Sequence, residues 1–127
     1  MVFVTTLDVK DLTPEEYRAV LDEMGVETRP AANILLHLAT KTDFGYRMIE
    51  IWNGKKGFDD FVEKRLAPAA EAIGLNRQMD ITITPLHNFF APGLTELPRL
   101  ISQLPGAPTQ NHRDIAAETD ALKQKVM

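Results

Sequence analysis

The 127-residue sequence contains no cysteine and only one serine, Ser102. The lack of cysteine excludes disulfides, thiolate nucleophiles, iron–sulfur clusters and cysteine-ligated zinc, and it fits a reducing compartment such as the cytoplasm. Ser102 lies outside any nucleophile-elbow pattern, so a Ser-His-Asp site is not predicted. Gly54 and Gly57 match neither the dinucleotide-binding nor the P-loop spacing, so a phosphate-binding loop is not predicted.

Long apolar runs and basic stretches are also missing. No stretch approaches the ~20 apolar residues of a membrane span, and the N-terminus lacks the basic region and small-residue cleavage site of a signal peptide. The 14 basic residues are scattered among 18 acidic ones, which gives a net charge of -4 and no basic stripe for phosphates. We therefore expect a cytoplasmic protein with neither a membrane nor a nucleic acid as a partner.

Hydrophobic periodicity predicts four strands and two helices. Alternating or β-branched segments indicate the strands, and apolar residues at helical spacing, with Thr13-Pro14 and Gly25 as boundaries of the first helix, indicate the helices. The predicted elements are strands at Val2–Asp8, Ile34–Thr40, Tyr46–Trp52 and Ile81–Phe90, and helices ending at Met24 and spanning Lys55–Ala72. Pro68 conflicts with a continuous second helix and predicts a kink or two segments.

The order βαββαβ predicts an α+β, ferredoxin-like fold. Right-handed crossovers then give a four-stranded antiparallel sheet with both helices on one face and the first strand in the centre. Pro85 cannot donate to a strand ladder, so it predicts an edge, a bulge or a crossing point. Because the strands carry large apolar groups on both faces, the uncovered face predicts a second copy of the chain as a partner.

The composition changes after Ala91. We predict one domain over residues 1–91 and a helical C-terminal extension over residues 92–127, which packs on its own domain or on a dimer mate. Two thin apolar stripes at helical spacing support the extension. They comprise Leu94, Leu97, Leu100, Ile101 and Leu104, and then Ile115, Leu122 and Val126.

The segment that joins the third strand to the second helix resembles a known family. The hairpin strand ends in Glu50-Ile51-Trp52, a short polar break follows, and the helix opens with Phe58 and Phe61. Together with the βαββαβ order, this is similar to the antibiotic-biosynthesis-monooxygenase-like branch of the dimeric α/β-barrel superfamily. The resemblance covers about residues 2–90. The first strand has no Asn and the second helix no His, so the activity of the superfamily's haem-degrading branch is not expected.

Two residues are candidates for catalysis. Glu50 is a carboxylate between two isoleucines, which must find a partner or stay protonated if it is buried. His37 lies in an apolar strand, where a general base or a hydrogen-bonded core histidine are both open readings. If the turn pairs Thr40 with Tyr46, His37 faces Ile49 and lies on the opposite side of the sheet from Glu50. A one-residue slip would reverse this.

Four further residues are candidates for binding a substrate. Trp52 and Tyr46 share a strand face with Glu50 and could form aromatic walls, and Phe58 opens the second helix beside them. His87 lies on the last strand, where an interface role is the alternative. The histidines lack the spacing that supplies two metal ligands from one element, so neither a metal nor another cofactor is predicted.

The resemblance implies a homodimer that forms through the sheet face and the last strand and binds a small molecule. It suggests a cofactor-independent monooxygenase-like enzyme that acts on a small apolar or aromatic substrate, with Glu50 or His37 as the base. The alternative is a non-catalytic structural or ligand-binding homodimer in which both residues are structural.

Overall fold

A computed structural model of the chain describes residues 1–108. The chain divides into a compact unit over Met1–Phe89 and a second unit that begins at Phe90. The elements of the first unit are β1 (Val2–Lys10), α1 (Pro14–Met24), β2 (Ile34–Thr42), β3 (Gly45–Asn53), α2 (Lys55–Phe61), a π-helical turn (Val62–Leu66), α3 (Ala67–Ala72) and β4 (Met79–Pro85).

The four strands form one antiparallel sheet in the order β2-β3-β1-β4. The predicted central position of β1 is thus confirmed. Of the edge, bulge or crossing point that Pro85 predicted, the structure has the edge. The inner face of the sheet, which includes Leu7 and Val9, packs against the buried side chains of the helices in a single core. The ferredoxin-like α+β fold predicted from the order of elements is confirmed.

The first helix has the boundaries that its sequence predicts. The Thr13 side chain accepts the backbone N–H of Glu16, and the Glu16 carboxylate accepts the backbone N–H of Thr13. This reciprocal capping box satisfies two N–H groups that the first helical turn leaves free. At the other end, Gly25 adopts a left-handed conformation with φ of 66°, which glycine tolerates without strain. The apolar side of this helix is buried and comprises Tyr17, Val20, Leu21 and Met24.

The second helical segment contains the conflict expected at Pro68. The backbone N–H of Ala67 bonds to the carbonyl of Val62, five residues earlier, which makes the turn between α2 and α3 π-helical. Pro68 follows immediately, in the first turn of α3, where its missing N–H costs little. The prediction of two segments is confirmed, and the wider turn is the way in which the chain accommodates the proline.

The hairpin is tighter than predicted. Thr42 pairs with Gly45, so Asp43 and Phe44 alone form the turn, and Thr40 pairs with Arg47. The predicted pairing of Thr40 with Tyr46 was therefore wrong. A two-residue turn shifts the register by one residue relative to the five-residue turn that the polar stretch suggested.

The fourth strand is shorter than predicted. It ends at Pro85, which pairs with Phe3 near the start of β1. The N–H of Leu86 still bonds to the carbonyl of Val2 at 2.9 Å, but residues 86–90 are not in a strand. The predicted extension of this strand to Phe90, which included His87, was wrong, because Pro85 has no N–H to donate and weakens the ladder at this end.

The described part of the second unit has three short helical turns. They are a 3-10 turn (Leu94–Glu96), α4 (Leu97–Leu100) and a second 3-10 turn (Ile101–Gln103). The predicted second stripe, Ile115, Leu122 and Val126, lies outside the described residues, and the domain boundary at residue 91 stays a prediction. Among residues 1–108, no helix is long and apolar enough to cross a membrane.

Replacement of Gly45 by alanine is expected to destabilise the first unit. Gly45 has φ of 145°, and an added Cβ would lie 2.2 Å from the carbonyl oxygen of Val9. Both backbone strain and a clash with a fixed strand oppose the substitution, so we expect a loss of at least ~3 kcal/mol in the free energy of unfolding. Urea denaturation followed by tryptophan fluorescence measures this loss.

Gly93→Ala is the matched control, because no atom lies within 4 Å of the added Cβ and the backbone φ is negative. A Gly45→Ala midpoint equal to that of this control would contradict the expected clash.

Candidate active site

The site is built on one row of residues that crosses the sheet. Glu50 on β3 pairs with His37 on β2 and with Thr5 on β1. Directly paired residues point to the same face of a sheet, so all three side chains lie on the inner face, under the helices. The predicted separation of His37 and Glu50 onto opposite faces was wrong, because the two-residue turn supplies the one-residue slip.

The Glu50 carboxylate is buried, with its side chain 5% exposed, yet it is well supplied with donors. Oε1 accepts the indole N–H of Trp52 at 3.3 Å and the Thr5 hydroxyl at 3.4 Å, and Oε2 lies 2.9 Å from Nδ1 of His37. A buried carboxylate costs several kcal/mol unless such partners compensate for its lost hydration. The sequence predicted that a buried Glu50 needs a partner, and the carboxylate has three, namely Thr5, His37 and Trp52.

His37 connects this carboxylate to the first helix. Its Nε2 lies 3.1 Å from the hydroxyl oxygen of Tyr17, while Nδ1 faces Glu50. With Glu50 as a carboxylate, Nδ1 must carry hydrogen, and in a neutral imidazole Nε2 then accepts the Tyr17 O–H. Tyr17, His37 and Glu50 form one hydrogen-bonded chain, which we call the relay.

Tyr17 is held between the sheet and its own helix. Its ring stacks on Tyr46 with centroids 5.0 Å apart and planes 2° from parallel. Burial is the main cause that raises the pKa of Tyr17 to about 12, with a further contribution from the negative charge of Glu27. The phenol is therefore protonated across the neutral pH range and available as a hydrogen-bond donor.

The relay opens onto a cavity of about 490 Å³ between the sheet and the helices. The cavity is lined by aliphatic side chains from both layers, such as Leu7, Leu21 and Leu66, and all three relay residues contribute to its wall. Outside the relay, the only charged side chains among residues 1–108 that line it are Glu27 and Arg77. A largely apolar pocket with a few converging polar groups is typical of sites for small molecules.

A bulge in β2 shapes one side of this cavity. Ile34 pairs with Trp52 and Leu36 with Ile51, so Leu35 is an extra residue without a partner in the ladder. Ile34 and His37 both line the cavity although they are three positions apart. An unbulged strand would point residues at this odd spacing to opposite faces.

The other predicted binding residues do not line the cavity. Trp52 is fully buried and packs edge-on against Phe58, with centroids 5.7 Å apart. Tyr46 lies behind Tyr17, and His87 is exposed beyond the end of β4. The structure thus brings Trp52 and Tyr46 against members of the relay, whereas Phe58 supports Trp52 and His87 lies apart. Their assignment to substrate binding stays a prediction.

Tyr17 and Thr5 are the residues that sequence reasoning missed. By its spacing Tyr17 belongs to the apolar stripe of α1, and Thr5 is one of several β-branched residues of β1. The signal that could have identified Tyr17 is that it is the only member of its buried stripe with a hydroxyl, and a buried hydroxyl requires a hydrogen-bond partner. Within residues 1–108, no group of three or more His, Asp or Glu side chains could hold a metal ion.

The fold has clear counterparts among solved structures. A variant of SnoaB, a cofactor-independent oxygenase from Streptomyces nogalater, superposes with a TM-score of 0.52 at 14% identity over 69% of this chain and 94% of that one. A Nitrosomonas europaea protein named as a candidate antibiotic biosynthesis monooxygenase gives a TM-score of 0.54 at 9% identity over 67% of this chain and 89% of that one.

A conserved protein from Methanosarcina mazei Go1 gives a TM-score of 0.52 at 14% identity, over 68% of this chain and 95% of that one. No protein-family model and no curated protein matches the sequence. The resemblance found in the sequence is confirmed for the fold, which is that of the antibiotic biosynthesis monooxygenase proteins.

The buried phenol of Tyr17 predicts a loss of stability in alkali. Below pH 10 the phenol is protonated in both the folded and the unfolded state, whereas above pH 10 the unfolded state ionises first because the folded pKa is about 12. The stabilisation is therefore present below pH 10 and decreases by roughly 2 to 3 kcal/mol as the pH rises to 12.

Urea denaturation at pH 8 to 12 measures this decrease in the wild type and in Tyr17→Phe, which cannot ionise and serves as the reference for other titrating groups. Parallel stability curves for the two proteins would contradict the assignment.

Proposed function

We propose that this protein is a cofactor-independent, monooxygenase-like enzyme that acts on a small apolar or aromatic molecule. The observation that carries the proposal is the hydrogen-bonded pair of His37 and Glu50 in the wall of an apolar cavity of about 490 Å³. The likeness in fold to SnoaB, a cofactor-independent oxygenase, supports the same reaction class.

The pair is suited to removing a proton from a carbon or oxygen acid. Glu50 fixes the tautomer of His37 and stabilises the imidazolium that forms when His37 gains a proton. An aliphatic cavity excludes water and favours a substrate whose negative charge is delocalised over aromatic rings. Trp52 donates a hydrogen bond to Glu50, and Tyr46 stacks on Tyr17, so both aromatic residues help to hold the site in place.

Such an anion can reduce dioxygen without a cofactor. An activated methylene loses a proton to the base, and the anion transfers electrons to dioxygen and forms a C–O bond. The loss of water then leaves a carbonyl, so that CH₂ and O₂ give C=O and H₂O. Dioxygen is the oxidant in this scheme, and the protein supplies the base, the orientation and the exclusion of water.

The rival function is a ligand-binding homodimer without catalysis. The cavity opposes the version of this rival in which the pocket is filled by its own side chains, but an open pocket serves binding as well as turnover. Oxygen consumption separates the two functions, because a pure binding protein takes up the ligand without consuming dioxygen.

Substitution of either member of the pair is expected to reduce turnover. Anthrone is a suitable probe, because its methylene is acidified by two rings and a carbonyl and its oxidation to the quinone is followed by absorbance and by an oxygen electrode. We expect His37→Ala and Glu50→Gln each to lower kcat by roughly 10² to 10⁴-fold, the range of general base catalysis.

Thr42→Val is the control for removing a polar group. The buried Thr42 hydroxyl has no hydrogen-bond partner in the described part of the chain, residues 1–108, and Thr42 lies at the far end of β2, outside the cavity lining. Unchanged turnover in both site variants would refute the role of the pair. Binding of anthrone by the wild type without oxygen consumption would favour the rival function.

We further propose that the protein is a homodimer through the outer face of the sheet. Within residues 1–89, the helices pack on the inner face, and the outer face presents Val4, Leu38 and Ile49 in neighbouring strands. Leu38 is 48% exposed. An apolar sheet face of this kind is commonly covered by a second copy.

A charge on this face is expected to dissociate the dimer. Leu38→Lys places an ammonium group in the centre of the proposed interface, so the mass measured by light scattering at micromolar concentration is expected to fall from two chains to one. Ala72→Lys, on the exposed end of α3, is the control and is expected to stay dimeric. A wild-type mass of one chain would contradict the proposed dimer.

A further inference from the structure

We propose that Tyr17 is the catalytic residue that touches the substrate, and that His37 and Glu50 act on the substrate through the Tyr17 hydroxyl. This inference rests on the proposed function and specifies which atom of the site receives the substrate proton. It also implies that the ligand carries a hydroxyl or an enolisable carbonyl.

The first argument is that both nitrogens of His37 are engaged. Nδ1 faces Glu50 at 2.9 Å and Nε2 faces the Tyr17 oxygen at 3.1 Å. A ligand therefore finds no free nitrogen on the imidazole unless it displaces the tyrosine. The stack on Tyr46 opposes displacement, because it fixes the Tyr17 ring between two packed layers.

The second argument concerns the bonding capacity of the Tyr17 oxygen. A phenol has one hydrogen to donate and lone pairs to accept. In the relay its hydrogen is donated to Nε2, which leaves a lone pair for a donor from the cavity that Tyr17 lines. A ligand O–H can therefore extend the chain by one link, from ligand to Tyr17 to His37 to Glu50.

This chain moves a proton without leaving a charge on the tyrosine. The ligand O–H bond breaks as its proton passes to the Tyr17 oxygen, and the phenol O–H bond breaks as its proton passes to Nε2 of His37. The products are a ligand oxyanion, a neutral Tyr17 and an imidazolium paired with the Glu50 carboxylate. Because Tyr17 is never a free phenolate, its elevated pKa does not oppose the step.

The test compares two ligands that differ in one hydrogen-bond donor. The probes are 2-naphthol and its methyl ether, and their affinities for the wild type, Tyr17→Phe and Thr42→Val are measured by calorimetry. We expect the wild type and Thr42→Val to bind the naphthol about 10-fold more tightly than the ether, which corresponds to one hydrogen bond of about 1.4 kcal/mol. Tyr17→Phe is expected to bind both probes equally, with an unchanged affinity for the ether.

The possible outcomes separate this inference from the proposed function. A preference for the naphthol that persists in Tyr17→Phe would show that another group contacts the hydroxyl, and it would overturn the inference alone. Equal affinities of the wild type for the naphthol and the ether would also overturn the inference alone. If the wild type binds neither probe, the proposed function is contradicted, and the inference falls with it.

A second measurement does not depend on the folding of a variant. In ¹⁵N-labelled wild type, the Nε2 resonance of His37 is expected to shift when 2-naphthol binds and to stay in place when the ether binds, because only the naphthol extends the proton chain. Identical spectra with the two ligands would overturn the inference.

Discussion

The burial of the Glu50 carboxylate is the constraint on which the site depends. The carboxylate lies beneath the helices with almost no contact with solvent, so its partners must come from the protein. They come from three adjacent strands, with Thr5, His37 and Trp52 on β1, β2 and β3. Because His37 in turn binds Tyr17 of α1, the same requirement ties the first helix to the sheet. The Glu50 carboxylate, which is costly to bury, thereby fixes the positions of the side chains around it in the cavity wall.

The surrounding fold makes this arrangement compatible with an open cavity. The large side chains of Trp52 and Phe58 are buried and fill one end of the space between sheet and helices. Smaller aliphatic groups line the other part and leave room for a ligand. Gly57 contributes to the filled end, because a Cβ there would lie 3.3 Å from the Trp52 ring and 3.2 Å from the carbonyl of Ala32. The relay therefore lines the cavity without filling the space that a ligand would occupy.

Sequence reasoning predicted the fold more completely than the site. Periodicity and capping signals at Thr13 and Gly25 are local properties, so they predicted α1 and the order of elements correctly. The site depends on register, which a polar turn does not specify: the choice between five and two turn residues decided whether His37 and Glu50 meet. Tyr17 was missed because its hydroxyl has a partner 20 residues away in sequence, and a helical stripe shows only that a residue is buried. Glu50 itself was found because a carboxylate in an apolar strand is unusual in any register.

The bulge at Leu35 has a consequence for association as well as for the cavity. β2 is an edge strand of nine residues whose first two thirds, Ile34–Ala39, are almost entirely apolar. A regular edge strand of this composition has a row of unpaired backbone N–H and C=O groups that a strand of another molecule can pair with. Such pairing extends the sheet and favours aggregation. The bulge interrupts that row of backbone groups near one end of β2 and increases the local twist of the strand, so that another strand pairs with it less easily. The irregularity that lets Ile34 and His37 reach the same cavity thus also protects the exposed margin of the sheet.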